Sequence, residues 1–374
     1  MKILFTGGGS GGHFFPILAV IREVKKKAEE NLILDLEIFY MGPEDNFGKN
    51  ILKSEEVVEI NVAAGKMRRY FSWENFSDVV KIAIGFLQAL WNFFLIMPDV
   101  VFSKGGYGAL PAVLASIIFR IPLIIHESDS VPGQVNKFSA RFASRIGLGF
   151  SSASKFFSKN KTALVGVPVR RYILGGQKED AREKFKIASS LPVVGFIGAS
   201  QGAERINNAI LGVLRELTEE FEVIHQTGAG NFSEVRGEAQ VILGAAHKER
   251  YHIFGFLSEN EMRDFYAACD LIVSRAGASS IFEIASARKP AIVVPLSTAA
   301  QNHQKQNAYD YAKSGAAAVV EEGNMTPHVL LGEVRKIMAE EKTLRRMAAA
   351  AQKFARPDSA EIIAKEILKL GIHN

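Results

Sequence analysis

Short runs of apolar residues alternate along most of the chain with longer segments in which apolar residues recur at helical spacing. In the first half, strands are predicted at "KILFT", "LDLEIFYMG", "DVVFSKGG" and "PLIIHES", and helices at "FPILAVIREVKKKAEE" and "LPAVLASIIF". Strands that alternate with helices are typical of a parallel sheet with helices on both faces. The pattern therefore predicts the α/β class.

The alternation starts again in the second half, after prolines and glycines interrupt it in "TALVGVPVRRYILGG". The strand, glycine loop and helix at 3–20 recur at 193–214, without similarity of sequence. We expect two doubly wound parallel-sheet domains, 1–165 and 166–350, and a C-terminal helix within 351–374 that returns to the first domain. Ligands of such sheets bind beyond the carboxyl ends of the strands, so we expect the site in a deep cleft between the domains.

The composition agrees with this organisation. Of the 374 residues, 48% are hydrophobic and 23% are charged, which argues against a disordered chain. The net charge of +5 comes mainly from the first 165 residues, where 19 Lys and Arg face 15 Asp and Glu. This mild excess fits an anionic substrate or membrane surface, and no nucleic-acid-binding motif is present. Cys269 is the single cysteine, so no disulfide framework is expected and a reducing cytoplasm is favoured.

Glycine-rich loops follow several predicted strands. The loop "GGGSGGHFFP" leads into a helix, whose N-terminal N–H groups favour phosphate. Gly7, Gly9 and Gly12 match the G-x-G-x-x-G pattern, but a nicotinamide enzyme also needs an acidic residue at the end of the second strand. That strand ends in "FYMGPED", with Gly and Pro before the acids. A loop that needs glycine only for tight packing is the alternative.

The loop in "RAGASSIFE" carries a more specific pattern. Ala278 and Ser279 are predicted to open a helix, so that their N–H groups can bind phosphate. Glu283 lies about one turn further on the same face as Ser279, where its carboxylate can accept both hydroxyls of a ribose. An ordinary surface acid is the alternative, and the apolar residues on both sides of Glu283 argue against it.

The longest apolar stretch is "NFSDVVKIAIGFLQALWNFFLIMPDVV". Polar residues recur on one side of it at helical spacing, so we predict a helix that packs on the sheet and leaves part of its apolar face for lipid. The preceding "GKMRRYFSW" combines cations with interfacial aromatic residues, as in segments that dock on anionic lipid. The predicted docking residues are Lys66, Arg68, Arg69, Phe71 and Trp73. A basic loop over a fully buried helix is the alternative.

Seven motifs together resemble the MurG family of glycosyltransferases. In chain order they are "GGGSGGHFFP", "SKGGYGALP", "HESDSVPGQVNK", "GVPVR", "GASQGAERIN", "RAGASSIFE" and "VPLSTAAQNHQKQNA". The resemblance implies the GT-B fold, with two Rossmann-like domains around a cleft. It also implies inverting transfer of N-acetylglucosamine from UDP-N-acetylglucosamine to undecaprenyl-pyrophosphoryl-N-acetylmuramoyl-pentapeptide (lipid I). The product, lipid II, would serve peptidoglycan synthesis, cell shape and cell division, and the enzyme would be peripheral on the cytoplasmic face of the membrane.

The resemblance also implies roles for residues at matching motif positions. In the first half, Ser10, Gly11 and Gly12 would line the sugar-nucleotide and acceptor cleft. Arg170 and Ser200 would contact the diphosphate of the donor or groups near it, and the Leu257 backbone would contact the uracil. The phosphates and ribose would be held by Ala278, Ser279, Ser280, Ile281, Phe282 and Glu283, and the transferred sugar by Gln304.

Two positions depart from the family pattern. "HESD" stands where the family usually has "HEQN", so Asp129 replaces an asparagine that contacts the donor. An ionised Asp cannot donate a hydrogen bond, which leaves that contact open. "VPVR" stands for "NPVR", with Val167 in place of an asparagine.

The inverting reaction needs a base for the acceptor hydroxyl and stabilisation of the departing UDP. His13 is the first candidate base, because it follows the glycine loop and titrates near neutrality, and Glu127 is the second. A packed or helix-capping histidine is the alternative for His13, and His126 is expected to be a buried strand residue. Since the sequence has no Asp-x-Asp motif, we expect no metal and no cofactor, with helix N-termini and Arg170 stabilising the leaving group.

Other functions remain open at this point. A nicotinamide oxidoreductase is suggested by one glycine pattern and opposed by the missing second-strand acid. A nucleotide-sugar-binding protein without activity, or a glycosyltransferase with another lipid acceptor, would use the same donor motifs.

Overall fold

The computed structural model describes residues 1–8, 11–44, 46–65, 74–198, 203–245, 247–299 and 302–372. They form two compact units. The first contains Met1–Val169 and Arg356–Asn374, and the second contains Arg170–Ala355.

A sheet of seven parallel strands forms the centre of the first unit. Its strands are β1 (Lys2–Thr6), β2 (Glu37–Gly42), β3 (Val58–Asn61), β4 (Val100–Ser103), β5 (Leu123–Glu127), β6 (Arg145–Leu148) and β7 (Thr162–Leu164). Its order is β3-β2-β1-β4-β5-β6-β7. The helices are α1 (Gly11–Glu30), α2 (Asn46–Ser54), α3 (Glu74–Ile96), α4 (Leu110–Ile118) and α5 (Gln134–Ser139).

The central strands of this sheet are buried on both faces. Ile3 and Phe5 pack with α1 on one face, whereas Leu4 packs with Ala89 and Phe93 of α3 on the other. Burial on both faces explains why the strands were recognisable as continuous apolar runs.

The second unit repeats the architecture with six parallel strands. They are β8 (Val193–Ile197), β9 (Glu222–Gln226), β10 (Tyr251–Phe254), β11 (Leu271–Arg275), β12 (Ala291–Val294) and β13 (Ala317–Val319), in the order β10-β9-β8-β11-β12-β13. The helices up to the last strand are α6 (Lys178–Lys184), α7 (Glu204–Leu211), α8 (Leu214–Glu220), α9 (Phe232–Leu243), α10 (Glu259–Ala268), α11 (Ala278–Ser286) and α12 (His303–Ala312). Two more follow, α13 (Pro327–Met338) and α14 (Glu341–Phe354). The predicted α/β class with two doubly wound parallel sheets is confirmed.

The last helix, α15 (Ser359–Ile372), packs in the first unit against α1. Ile363 and Ile367 join the apolar cluster that contains Ile17 of α1. The Ser359 hydroxyl donates a hydrogen bond to the Gly166 carbonyl, 3.0 Å away. The C-terminal segment therefore completes the core on one face of the first sheet.

Helix α1 begins at Gly11, whereas the sequence pattern placed its start at Phe15. Gly11, Gly12 and His13 thus form the first helical turn rather than the end of a loop. The apolar periodicity begins only with the buried Phe14, because Gly11, Gly12 and His13 carry no apolar side chain.

Helix α3 buries Asp78, Gly85, Ala89 and Phe93, and leaves Lys81, Gln88 and a set of apolar residues exposed. Asp78 is buried, and the Gln88 side-chain oxygen accepts a hydrogen bond from the Ala63 N–H at 2.8 Å. The exposed apolar residues, called the α3 face below, are Val79, Val80, Ile84, Leu87, Trp91, Phe94 and Leu95. By length and composition, Asp78–Ile96 is also the one helical stretch among the described residues that could cross a membrane.

Candidate active site

Each sheet has one point where the strand order reverses, and several candidate residues follow the carboxyl ends of strands at this point or next to it. In the first unit the reversal lies between β1 and β4, and in the second between β8 and β11. Loops leave in opposite directions at such a point and open a crevice for ligands.

In the first unit, the His13 ring is held between two glycine turns. Its Nδ1 accepts a hydrogen bond from the Gly8 N–H, with an N–N distance of 3.3 Å. A Cβ atom on Gly106 would lie only 2.7 Å from this nitrogen, and Gly106 has a φ of 81°. Only glycine fits both this backbone conformation and the close contact. The position of His13 therefore depends on glycine in "SKGGYG".

The contact with Gly8 bears on the predicted role of His13. A neutral imidazole that accepts at Nδ1 carries its proton on Nε2 and is a donor there. To act as a base, His13 has to give up the Gly8 contact and take the proton at Nδ1. The assignment of His13 as the base stays a prediction. Gly11 and Gly12 flank it in the first turn of α1, and Ser10 lies outside the described residues.

Glu127, the second candidate base, is buried at the carboxyl end of β5 and holds the following turn. Its Oε1 accepts from the Asp129 N–H at 2.9 Å. Its Oε2 accepts from the Gly133 N–H and from Asn136 Nδ2, both at 3.0 Å. Burial raises the pKa of Glu127, and the nearby Asp129 charge adds to the effect. With both oxygens bonded inside the protein, Glu127 is placed to hold the 128–133 turn in position.

His126 points to the other side of β5 and is fully buried. Its Nε2 lies 2.7 Å from the Gly166 carbonyl oxygen, and burial lowers its pKa well below the usual value. The ring is therefore neutral and donates from Nε2, which confirms the expectation of a buried strand histidine.

Lys104, at the end of β4, was not singled out from the sequence. Its ammonium group donates a hydrogen bond to the Ser128 hydroxyl, and only 2% of the residue is exposed. Burial lowers the pKa of Lys104 to about 8, against the opposing effect of the Glu127 and Asp129 charges. The sequence feature that could have indicated this residue is a lysine placed directly between the last residue of a strand and two glycines.

In the second unit, α11 begins at Ala278 and follows β11 after a turn at Ala276 and Gly277. The first hydrogen bond of the helix runs from the Ile281 N–H to the Gly277 carbonyl, 3.0 Å away. The N–H groups of Ala278, Ser279 and Ser280 precede it and lie at the positive end of the helix dipole. The side chains of Ile281 and Phe282 are buried in the core, so only their backbone belongs to this edge.

Glu283 lies one turn into α11 and is 9% exposed, so it is not a surface acid. Its Oε1 accepts from Arg170 Nη2 at 2.9 Å, and its Oε2 accepts from the Tyr266 hydroxyl at 3.1 Å. Arg170 Nη1 also bonds Glu259, 3.1 Å away. Burial disfavours the charged form of Arg170, but the two carboxylates outweigh this and raise its pKa. The structure thus places Arg170 as the ion-pair partner of Glu283, and its predicted contact with the diphosphate stays a prediction.

A second buried ion pair was not recognised from the sequence. Arg275, the last residue of β11, places Nη2 at 2.6 Å from Glu322 Oε1. The other oxygen of Glu322 accepts from the Ser297 N–H at 3.0 Å and from its hydroxyl at 2.6 Å. Burial alone would raise the pKa of Glu322, but Ser297 and Arg275 together lower it to about 2.

The remaining predicted residues lie on neighbouring loops of the second unit. Gln304, in the first turn of α12, accepts from the Leu296 N–H at 3.0 Å through Oε1, so its side-chain N–H groups remain as donors. Leu257 is buried just before Ser258, which caps α10. Ser200 lies outside the described residues. Within the described ranges, no group of three or more His, Cys, Asp or Glu side chains is arranged to hold a metal ion.

Comparisons with known proteins agree across the whole chain. The family models described as the glycosyltransferase family 28 N-terminal and C-terminal domains match residues 3–148 and 193–363. A protein of Clostridium botulinum named UDP-N-acetylglucosamine–N-acetylmuramyl-(pentapeptide) pyrophosphoryl-undecaprenol N-acetylglucosamine transferase is 35% identical over 369 residues, which cover 98% of each chain. A protein of the same name from Clostridium kluyveri is 35% identical over 366 residues, 97% of this chain and 99% of that one.

A solved structure shares the fold over the same extent. The crystal structure of Acinetobacter baumannii MurG has a TM-score of 0.74 to this chain at 24% identity, and covers 98% of this chain and 99% of its own.

We predict that Glu322 makes stability dependent on pH. A carboxylate with a pKa of about 2 when folded and 4.5 when unfolded stabilises the fold above pH 4.5, and this contribution is lost as the pH falls towards 2. The shift corresponds to roughly 3 kcal/mol at neutral pH. Urea denaturation from pH 7 to 3 should show a steeper loss of stability for the wild type than for Glu322→Gln. Glu249→Gln, at an exposed position, is the matched control. Equal slopes for the wild type and Glu322→Gln would contradict the prediction.

Proposed function

The chain belongs to glycosyltransferase family 28, and from this premise we propose that it transfers N-acetylglucosamine from UDP-N-acetylglucosamine to lipid I, giving lipid II for peptidoglycan synthesis. The observation that carries the proposal is the match over nearly the whole length of relatives that bear this activity in their name. The buried carboxylate of Glu283 behind the N-terminus of α11 supports it, because this arrangement suits a nucleoside diphosphate.

We place the donor in the second unit. The N–H groups that open α11 would bind the diphosphate, and Glu283 would accept hydrogen bonds from the ribose hydroxyls. Each oxygen of Glu283 has one protein donor, and a carboxylate oxygen can accept a second hydrogen bond. The backbone of Leu257 would contact the uracil, and the amide N–H groups of Gln304 would hold the transferred sugar.

In the reaction that we propose, the acceptor hydroxyl attacks the anomeric carbon of the donor, and the bond from that carbon to the diphosphate breaks. Configuration inverts, the electron pair leaves with UDP, and the hydroxyl proton passes to His13. The N-terminus of α11 stabilises the charge that develops on UDP. The chain has no Asp-x-Asp motif, so we assign this stabilisation to protein groups alone.

Acceptor-dependent release of UDP tests this function. Purified protein, UDP-N-acetylglucosamine and a soluble short-chain lipid I analogue should release UDP and form the disaccharide product, and a chelator should not change the rate. Binding of the donor without turnover would support a nucleotide-sugar-binding protein. Turnover only with another lipid acceptor, or binding of NAD in place of the donor, would also reject the proposal.

His13→Ala should lower the turnover number by ~10²–10⁴-fold while the dissociation constant of the donor changes little, as expected for loss of a general base. His328→Ala, at an exposed histidine in α13, is the control and should match the wild type. His13→Asn separates a base from a donor, because Asn keeps N–H groups but cannot take the proton. If His13→Asn retains most of the activity, the base is Glu127 or water instead.

Glu283→Ala should weaken the binding of UDP by ~1.5–3 kcal/mol, the range for hydrogen bonds to a charged group. Calorimetry with UDP and with 2′,3′-dideoxy-UDP identifies the contact. The wild type should prefer UDP, and Glu283→Ala should bind the two ligands with nearly equal affinity. An unchanged preference in the folded variant would show that Glu283 does not bind the ribose.

We also propose that the protein docks on the cytoplasmic face of the membrane through the first unit, because a lipid-linked acceptor must be reached at the bilayer surface. The α3 face supports this, since apolar side chains such as Trp91, 63% exposed, point outward. Exposed Phe138, Phe142 and Phe156 belong to segments that pack on the same side of the sheet, with Lys137 Nζ 5.0 Å from the Phe156 ring. Aromatic residues next to cations suit an anionic interface. The predicted docking residues from Lys66 to Trp73 lie outside the described residues.

Replacement of Leu87, Trp91 and Phe94 by Gln should abolish most of the binding to anionic vesicles, because each apolar side chain that enters the interface contributes roughly 1.5–3 kcal/mol. Leu32→Gln with Leu34→Gln, at two exposed leucines after α1, is the control and should bind normally. Replacement of Lys66, Arg68 and Arg69 by Gln should weaken binding by ~3 kcal/mol at low salt and less at high salt.

Vesicle sedimentation measures these effects, and turnover of the soluble acceptor shows that the variants remain active. Unchanged binding in the α3 variant would mean that docking does not use this face.

A further inference from the structure

Lys104 is a buried cation at the carboxyl edge of the first sheet that the proposed reaction does not use. Lys104 follows the last residue of β4 and precedes Gly105 and Gly106, and 2% of the residue is exposed. A buried ammonium group is costly unless charged or polar partners compensate it. Its partners therefore indicate why the residue is tolerated there.

These partners all belong to the end of β5 and the turn that follows. The ammonium group donates to the hydroxyl of Ser128, which stands between Glu127 and Asp129 in the chain. The negative charges of these two neighbours favour the charged form of Lys104 and oppose the effect of burial on its pKa. Glu127 in turn fixes this turn by accepting from the Asp129 and Gly133 N–H groups at 2.9 and 3.0 Å. His126, on the other side of β5, is the remaining titratable group near Lys104, and it is neutral.

Glu127 and Asp129 are two residues apart at this edge, and their negative charges repel each other. Asp129 contributes to raising the pKa of Glu127, whereas Lys104 lowers it. Without the cation, the negative charge of Asp129 would disfavour the ionised Glu127 that holds the turn. An asparagine at 129 would not create this problem, because it carries no charge.

We propose that Lys104 is the counter-charge for Asp129, and that this pair positions the 128–133 turn for glycosyl transfer. Lys104 is thus a positioning residue that acts through the turn. The part that concerns transfer rests on the proposed function, whereas the coupling between the two charges does not.

A double-mutant cycle tests the pair with Lys104→Met, Asp129→Asn and the double variant. The readouts are kcat/KM with the soluble acceptor and the free energy of unfolding in urea. Lys104→Met should lower kcat/KM by about 10-fold or more, and the addition of Asp129→Asn should restore a large part of the loss, as expected for directly coupled charges. Independent, multiplicative losses in both readouts would overturn the proposal.

Lys104→Arg is a second test, because arginine keeps the positive charge at this position and does not lose it at alkaline pH. The wild-type kcat/KM should fall as the pH rises through about 8, where Lys104 loses its proton, and Lys104→Arg should remove this alkaline decrease. If kcat/KM of the folded Lys104→Arg variant falls at alkaline pH as it does in the wild type, the proposed role of the charge is contradicted.

The outcomes also separate this inference from the proposed function. If the wild type does not turn over the acceptor but the two substitutions are coupled in urea, the transferase function fails and the charge pair stands. If the wild type is active and the substitutions are independent in both readouts, the function stands and the pair is rejected.

Discussion

The reversal of strand order beside the first strand of each sheet is the constraint on which both candidate sites depend. Since β1 is flanked by β2 on one side and β4 on the other, the loops that follow β1 and β4 diverge and leave the carboxyl edge open. The backbone must then turn sharply within a small space. A side chain at Gly106 would clash with the His13 ring, so the turn after β4 also restricts where the histidine that follows β1 can lie.

Charged side chains at these edges are buried and compensated within their own unit. Glu283 is held by Arg170 and Tyr266, and Glu322 by Arg275 and Ser297. Such pairs add little net stability over apolar residues of the same size, but the loss of one partner leaves an uncompensated buried charge. The benefit is geometric, because the groups are already oriented before a ligand arrives.

The sequence was sufficient for the elements of the fold and for part of each site. Strands buried on both faces appear as apolar runs, and the apolar neighbours of Glu283 correctly indicated that it is not a surface acid. The hydrogen-bond and ion-pair partners of these residues could not be predicted from the apolar pattern. Arg170 is 113 residues from Glu283, and their contact depends on how a connecting segment crosses the second unit. Lys104 meets Ser128 only because β4 and β5 are neighbours.

The direction of α3 shows the limit of periodicity more clearly. Regularly spaced polar residues commonly mark the solvent side of a helix, yet in α3 Asp78 is buried, whereas Lys81 is exposed and the exposed Gln88 bonds the backbone at Ala63. Periodicity identifies the polar side of a helix, but the segment that crosses it decides whether that side faces water. Here residues 63–65 lie against α3 at Asp78 and Gly85, while Ala89 and Phe93 pack in the core, which leaves the α3 face exposed. An outward apolar face costs solubility in water and gains free energy at a lipid surface, which agrees with the membrane docking that we propose.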